Sequence, residues 1–209
     1  ELELDVLRAA RDNRQMTLDV HSLIQLDVDQ FHGIEIEEFP AQIAQVALWL
    51  TDHQMNMKVG EEFGLYFARI PLTSAPQVVH GNALALDWAD IVAPEKLGYI
   101  LGNPPFAGSK YMSKQQRAEL ARAAGGIKGH GILDYVTGWY FKAVDYIHGR
   151  RPDDPELEEL LGQLPGGKGN PAIRVGFVST NSITQGEQVG VLWQWMLDQG
   201  MHIHFAHRT

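Results

Sequence analysis

The chain has 209 residues, 44% of them hydrophobic, with no cysteine and a formal net charge of −9. That length accommodates one substantial domain, and the lack of thiols excludes a disulfide framework, a thiolate metal site and a cysteine nucleophile. No apolar run approaches membrane-spanning length. The opening Glu1-Leu2-Glu3-Leu4-Asp5 has neither a basic n-region nor an apolar signal core, so a cytoplasmic protein with no membrane partner is expected.

The charge is unevenly spread. Residues 1–102 carry 16 acidic and 6 basic side chains and residues 152–209 carry 7 and 3, whereas residues 103–151 carry 3 and 8. Only that middle segment is net positive, through Lys110, Lys114, Arg117, Arg122, Lys128, Lys142, Arg150 and Arg151. A local cationic surface suits a polyanion such as DNA. For any single lysine, a solvated helix face explains it equally well.

Residues 1–11 alternate charged and apolar groups, with Leu4, Val6 and Leu7 available to one helical face. Residues 12–30 are polar and irregular, with a short helix expected around Leu18–Ile24. Phe31–Ile36 is the first clear strand, with Ile34 and Ile36 to one side and Glu35 near its carboxyl end. Pro40 suits the first turn of a helix, and Ile43, Val46, Ala47 and Leu50 follow at helical spacing in a helix expected to reach about Met55. A carboxylate at the end of a strand that feeds a helix recurs in nucleotide-type cofactor folds, where it accepts both ribose hydroxyls. A solvent-facing Glu35 beside Glu37 and Glu38 is the plainer reading. Residues 57–76 read as a connector with a hairpin in Leu65–Ile70. Gln77–Leu84 reads as a second strand ending in a turn that leaves Asn82 at its carboxyl end, and Asp87 and Trp88 anchor the loop beyond.

Gly98–Leu101 is a short apolar strand, expected to be buried, that delivers Asn103-Pro104-Pro105-Phe106 to the carboxyl edge of the sheet. Open α/β sheets place their ligand chemistry there. Two successive prolines fix φ and remove two N–H groups, so the carbonyls of Asn103 and Pro104 are held stiffly and cannot be drawn into a helix. An amide, a fixed carbonyl and the aromatic face of Phe106 suit a planar group with an amine to donate. A bare turn, for which Asn-Pro is a common opener, is the competing reading.

Ala107–Met112 is a short glycine-containing loop. Ser113 and Gln116 have capping-box spacing for a helix that continues to Ala124 and stops at Gly125-Gly126. Residues 132–148 are expected to form a helix with Val136, Tyr140, Val144 and Ile147 on one face and Tyr135, Trp139, Tyr140 and Phe141 as core aromatics. Residues 149–172, with Pro152, Pro155, Pro165 and Pro171, read as an exposed loop insertion with a helical stub at Glu156–Leu161. Ile173–Ser179 is a fourth strand, followed by a loop over Thr180–Gly186, a helix from about Gln188 to Gln199 and a fifth strand over Met201–Ala206. This alternation predicts an α/β fold with a mostly parallel sheet and helices on both faces.

Three patterns imitate sites. Gly162, Gly167 and Lys168 have the spacing of a phosphate-binding loop, but Gly169 stands where Ser or Thr must hold magnesium and no strand precedes it. His202 and His204 share one side of a strand without a third ligand. Ser179, Thr180 and Ser182 lack the surroundings of a nucleophile elbow.

With these segments in order, the chain resembles the amino-methyltransferases that use S-adenosylmethionine. It is most similar to the N6-adenine DNA methyltransferase domain of fused type II (subclass G) restriction–modification enzymes. The resemblance runs through Gly33-Ile34-Glu35-Ile36-Glu37-Glu38-Phe39, Ala47-Leu48-Trp49-Leu50, Gly81-Asn82-Ala83-Leu84 and Asn103-Pro104-Pro105-Phe106. It ends in Phe177-Val178-Ser179-Thr180-Asn181-Ser182-Ile183-Thr184-Gln185-Gly186-Glu187-Gln188, the most family-specific run. It implies a Rossmann-like class I methyltransferase fold, truncated at the N-terminus. The cofactor half would be 1–102 and the catalytic, DNA-facing half 103–209, with 149–172 inserted. Glu35, with Ile36 beside it, would grip the cofactor ribose. Asn82, where the family often has Asp, and Ala83 would lie against the cofactor adenine. Asn103 and the Pro104 carbonyl would accept the two hydrogens of the target N6 amine, with Pro105 completing the stiff turn and Phe106 stacking on the base. Lys110, Lys114, Arg117 and Lys128 would face double-stranded DNA, from which the target base is flipped.

The family's glycine-rich cofactor loop, which should precede the helix at 1–11, and its target-recognition region, which should follow Thr209, are missing from the 209 residues. The chain is therefore expected to be a piece of a longer enzyme that folds at least partly, binds cofactor weakly and has little or no activity alone. Two other readings share the same four residues. Methylation of a protein glutamine amide favours Tyr over Phe at 106 and leaves the basic segment unexplained; a non-catalytic binding domain on this fold is the other.

Overall fold

A computed structural model describes residues 2–12, 24–63, 75–150 and 169–207. The hairpin expected at Leu65–Ile70 and the stub at Glu156–Leu161 lie outside those residues, as does nearly all of the helix expected around Leu18–Ile24. The chain divides into two compact units, Glu1–Asn82 and Ala83–Thr209.

In the first unit, helix α1 (Leu2–Asp12) lays Leu4 and Leu7 against Val59 of helix α2 (Glu38–Phe63), with Ile24 and Phe63 at the margin. Arg8 fastens the pair, its Nε 2.8 Å from Glu62 and its Nη1 2.9 Å from Asp5. Strands β1 (His32–Glu35) and β2 (Gln77–His80) pair in parallel, His32 opposite Gln77 and Glu35 opposite His80. The Gly81 N–H extends the ladder to the Glu35 carbonyl (2.8 Å), and Gln45 of α2 donates to the Val78 carbonyl (3.0 Å).

Two expectations need correction in this unit. Val6 does not share the buried face of Leu4 and Leu7 but is exposed. Helix α2 runs past Met55 to Phe63, because Met55, Met57 and Lys58 are good helix formers and α1 covers Val59. Its Ile43, Val46 and Leu50 nevertheless stay exposed among the described residues, since two strands of 4 residues leave much of a 26-residue helix uncovered.

The second unit is built on strands β3 (Tyr99–Gly102) and β4 (Arg174–Phe177), parallel and in register from Tyr99–Arg174 to Gly102–Phe177. Helices α3 (Lys114–Ala123), α4 (Thr137–Ile147) and α5 (Gln188–Asp198) accompany them. The core packs Leu120 and Ala123 of α3, Val136, Phe141 and Leu192 together with Leu84, Leu133 and Ile183. Ser113 caps α3 as expected: its Oγ accepts from the Gln116 N–H (3.1 Å) and its N–H donates to Gln116 Oε1 (2.9 Å). A second cluster gathers Tyr146, Ile147 and Ile173 around Trp88, Leu97 and Ile100. Asn170 ties it together, donating to the carbonyls of Pro94 and Leu97, both at 3.0 Å. Buried Lys142 donates to the Leu86 carbonyl (2.7 Å) and lies 5.9 Å from the Trp88 ring; burial lowers its pKa, opposed by Asp87 and Asp145.

Here too the structure departs from the pattern. The described strands form two separate two-stranded parallel sheets rather than one. Strand β3 is not buried: Leu101 is 81% exposed, because β4 pairs along its edge and no described element covers that face. Residues 133–136 are not helical, as α4 starts only at Thr137, after a 3₁₀ turn over His130–Ile132 that Gly129 enters with φ of 86°. Met201–Ala206 is not a strand: the Met201 N–H closes the end of α5 on the Met196 carbonyl, and Arg174 of β4 meets His204 through side chains (2.6 Å) rather than a ladder. The core aromatics, the capped helix and the parallel pairing stand as read. No described helix is long and apolar enough to cross a membrane.

Gly102 is needed for close approach, since a Cβ there would stand 3.1 Å from the Phe177 ring, whose own position is set by Tyr140 (5.2 Å between ring centres, edge-on). Gly102→Val is expected to destabilise the protein by about 1–3 kcal/mol in urea denaturation followed by tryptophan fluorescence. The Tyr146 hydroxyl donates to the Val92 carbonyl (2.8 Å), and burial, with Glu95 and Asp87 nearby, pushes its pKa from 10.0 up to about 12. Its contribution to stability is therefore complete below the unfolded-state value and lost as the pH rises from about 10 towards 12. Stability measured across that window should fall less steeply in Tyr146→Phe than in the unmodified protein.

Candidate active site

Strand β3 ends at Gly102, whose carbonyl takes the Val178 N–H at 3.0 Å, so the two strands stay paired up to the point where Asn103 leaves the sheet. Pro104 is then buried while Asn103 and Pro105 on either side are exposed, and Phe106 is 53% exposed. The buried ring anchors the turn. Among the described residues, neither the Asn103 side chain nor the carbonyls of Asn103 and Pro104 has a hydrogen-bond partner. No described group of the protein competes with a ligand's donors for these acceptors.

The loop beyond Phe106 is held from outside. The Tyr135 N–H donates to the Ala107 carbonyl and the Ser109 N–H donates to Asp134 Oδ1, both at 2.9 Å. Asp134, only 6% exposed, takes the Ser182 hydroxyl on its other oxygen, and Ser182 meets Thr180 at 2.6 Å. Tyr140 bonds Ser179 (2.8 Å) and stands edge-on to both Phe177 and Trp193. Sequence reasoning did not single out Asp134, although a lone acid within Gly131-Ile132-Leu133-Asp134-Tyr135-Val136 is a visible signal. Ser182 and Thr180, set aside as poor nucleophiles, serve as hydrogen-bonding links.

In the first unit, Glu35 is the last residue of β1 and partly exposed, with Oε1 accepting the Glu37 N–H at 3.2 Å. A carboxylate so placed keeps acceptor capacity for further donors, as a ribose diol requires. Ile36 follows, exposed, and its carbonyl takes a bond from His80 Nε2 (3.1 Å) at the end of β2. Asn82 lies two residues beyond β2, so Glu35, Ile36 and Asn82 gather at the same end of one parallel pair; Ala83 opens the second unit. An acceptor carboxylate, an apolar side chain and an amide fit a ligand with a diol and a planar ring.

Of the basic residues, Lys110 and Arg117 come together, Arg117 Nη2 reaching the Lys110 carbonyl at 3.5 Å. Both line an open cleft of about 660 Å³ with Ser109, Ile132, Gln185 and Glu187, between the loop after Asn103–Phe106 and the loop before α5. Lys114 and Lys128 are exposed but do not line it. A smaller hollow of about 310 Å³ between α1 and α2, lined by Leu4, Arg8, Lys58, Glu61 and Glu62, contains none of the candidate catalytic, cofactor-binding or DNA-facing residues. No group of three or more metal-ligating side chains occurs among the described residues.

Comparison with known proteins places this geometry in a family. The family model for the MmeI DNA-methyltransferase domain matches residues 1–209. DNA methyltransferase A of Bacillus subtilis (strain 168) is 31% identical over 185 residues, covering 87% of this chain and 19% of that protein. The solved structure of MmeI, a type IIL restriction–modification enzyme in complex with DNA, is 51% identical with a TM-score of 0.76, covering 95% of this chain and 24% of that one. The chain thus spans about a fifth to a quarter of the length of these relatives. The resemblance read from the Asn103 and Phe177 segments, to the methyltransferase domain of a restriction–modification enzyme, agrees with these matches. The chain belongs to the family of MmeI DNA-methyltransferase domains.

Proposed function

We propose that the chain is the methyl-transferring part of a restriction–modification enzyme, acting on the N6 amine of an adenine flipped out of double-stranded DNA with S-adenosylmethionine as donor. The observation that carries this reading is the turn Asn103-Pro104-Pro105-Phe106, set at the carboxyl end of β3 with its amide and carbonyls unbonded among the described residues. On this reading the fold is Rossmann-like, 1–102 is the cofactor half, 103–209 the catalytic and DNA-facing half, and 149–172 an insertion. The family membership and the relative solved with DNA support it.

The adenine amine is a poor nucleophile because its lone pair is delocalised into the ring. Asn103 Oδ1 and the Pro104 carbonyl, accepting one N–H each, favour a pyramidal nitrogen and return that lone pair to it. The two prolines stiffen the backbone of the turn before the base arrives, so the Pro104 carbonyl acts on the transition state with little reorganisation. Phe106 offers a face on which the flipped ring stacks, offsetting part of the cost of unstacking. Glu35 would accept the ribose hydroxyls of the donor, with Ile36, Asn82 and Ala83 against its adenine. S-adenosylmethionine would supply an electrophilic methyl carbon with sulfur as its leaving atom; the amine held by Asn103 and the Pro104 carbonyl would form the new N–C bond and give up a proton to water. The residues named need no covalent intermediate.

Two measurements test this on the intact enzyme. With tritiated S-adenosylmethionine and unmethylated phage DNA, nucleoside analysis should find N6-methyladenine, and Asn103→Ala should slow single-turnover transfer by about 10²–10³-fold while DNA binding persists. A methylated cytosine as product, or an unchanged rate, would contradict the assignment. Replacing Lys110 and Arg117 together by Gln should weaken DNA binding and flatten the log–log salt dependence by roughly one unit per cation removed. An unaltered slope would remove that cleft from the DNA surface.

A further inference from the structure

We infer that Asp134 is a positioning residue for methyl transfer, its buried carboxylate fixing the loop after Asn103–Phe106 to the loop after β4. The inference rests on the target-amine reading of Asn103 given above.

The geometry uses both oxygens of the carboxylate. Oδ1 accepts from the Ser109 N–H at 2.9 Å, three residues beyond Phe106, while the neighbouring Tyr135 N–H donates to the Ala107 carbonyl at 2.9 Å. Residues 134 and 135 therefore grip 107–109 at two points. Oδ2 takes the Ser182 hydroxyl in the turn Asn181–Thr184 that follows β4. The backbone of Asp134 is committed as well. Its N–H donates to Gln188 Oε1 (3.3 Å) at the start of α5, and its carbonyl accepts the Thr137 hydroxyl (2.7 Å) and N–H (3.0 Å) at the start of α4. The carboxylate thus sits where the loops from the two parallel strands and the first turns of two helices converge.

Asp134 is 6% exposed, and no cation pairs with it among the described residues. A buried carboxylate without a cation is costly unless hydrogen bonds satisfy it. As a purely structural filler, an apolar side chain would serve as well or better. What the carboxylate does that an apolar group cannot is join Ser109 to Ser182. A reacting geometry displaced by about 1 Å can lose on the order of 10²-fold in rate, so this joint bears on turnover more than on ligand affinity.

The chemistry of the two variants separates the possibilities. In Asp134→Asn, the amide oxygen still accepts from Ser109, and the amide N–H₂ donates to Ser182, whose hydroxyl turns to Thr180; both links survive. In Asp134→Leu, of similar size, both are lost. In the intact enzyme with tritiated S-adenosylmethionine and unmethylated phage DNA, Asp134→Leu should lower the single-turnover rate by about 10–100-fold. Dissociation constants for cofactor and DNA should stay within about twofold, and Asp134→Asn should stay within about threefold of the parent rate. If Asp134→Leu does not fold, Ser182→Ala, which cuts one link, should lower the rate by about 3–10-fold at unchanged affinities. Parent-like rates in both Asp134→Leu and Ser182→Ala, or an Asp134→Asn rate as low as that of Asp134→Leu, would overturn the inference. Asn103→Ala, measured alongside, keeps the two claims apart. If it has no effect, the target-amine reading fails; if it abolishes transfer while the Asp134 variants do not, only the positioning role fails.

Discussion

The structure depends on what two adjacent prolines do to a strand that has just ended. Strand β3 is paired to β4 through Gly102, and then the chain meets Pro104 and Pro105, which have no N–H to continue any ladder. Pro104 is buried, while Asn103, Pro105 and Phe106 are exposed. Acceptors at this point are not used up by the backbone's own demands.

Around it, the second unit spends its polar interactions on holding loops in place. Tyr140 supports Phe177 and Ser179, Asp134 connects Ser109 with Ser182, and Asn170 closes the Pro94–Leu97 turn against the far end of the unit. The first unit repeats the arrangement on a smaller scale, with Glu35 and Asn82 at one end of the β1–β2 pair and the His80 side chain bonded to the Ile36 carbonyl. Parallel pairing is what makes this possible, because it delivers consecutive loops to the same edge. The helices supply the packing that keeps the strands in register.

Much of this was legible in the residues, and the failures have identifiable causes. The capping box at Ser113 and Gln116, the strands at His32–Glu35 and Tyr99–Gly102, and the core role of Tyr135 and Phe141 follow from short-range rules that hold wherever the segment sits. Strand β3 is exposed where its apolar residues suggest burial, and the helically spaced Ile43, Val46 and Leu50 of α2 are exposed as well, since periodicity tells which residues share a face but not whether anything covers it. Met201–Ala206 has strand-like residues yet lacks ladder bonds, a matter of partners rather than propensity. Asn103 could be found from its proline neighbours. Asp134 could not be assigned a role, because its partners Ser109 and Ser182 are 25 and 48 residues away.

The central claim is geometric, and a crystal structure of the intact enzyme with target DNA and an unreactive analogue of the methyl donor tests it most directly. The account predicts an extrahelical adenine with its N6 about 3 Å from both Asn103 Oδ1 and the Pro104 carbonyl, its ring lying on Phe106. A target base held elsewhere, with the Asn103 amide bonded to protein or solvent instead, would contradict it.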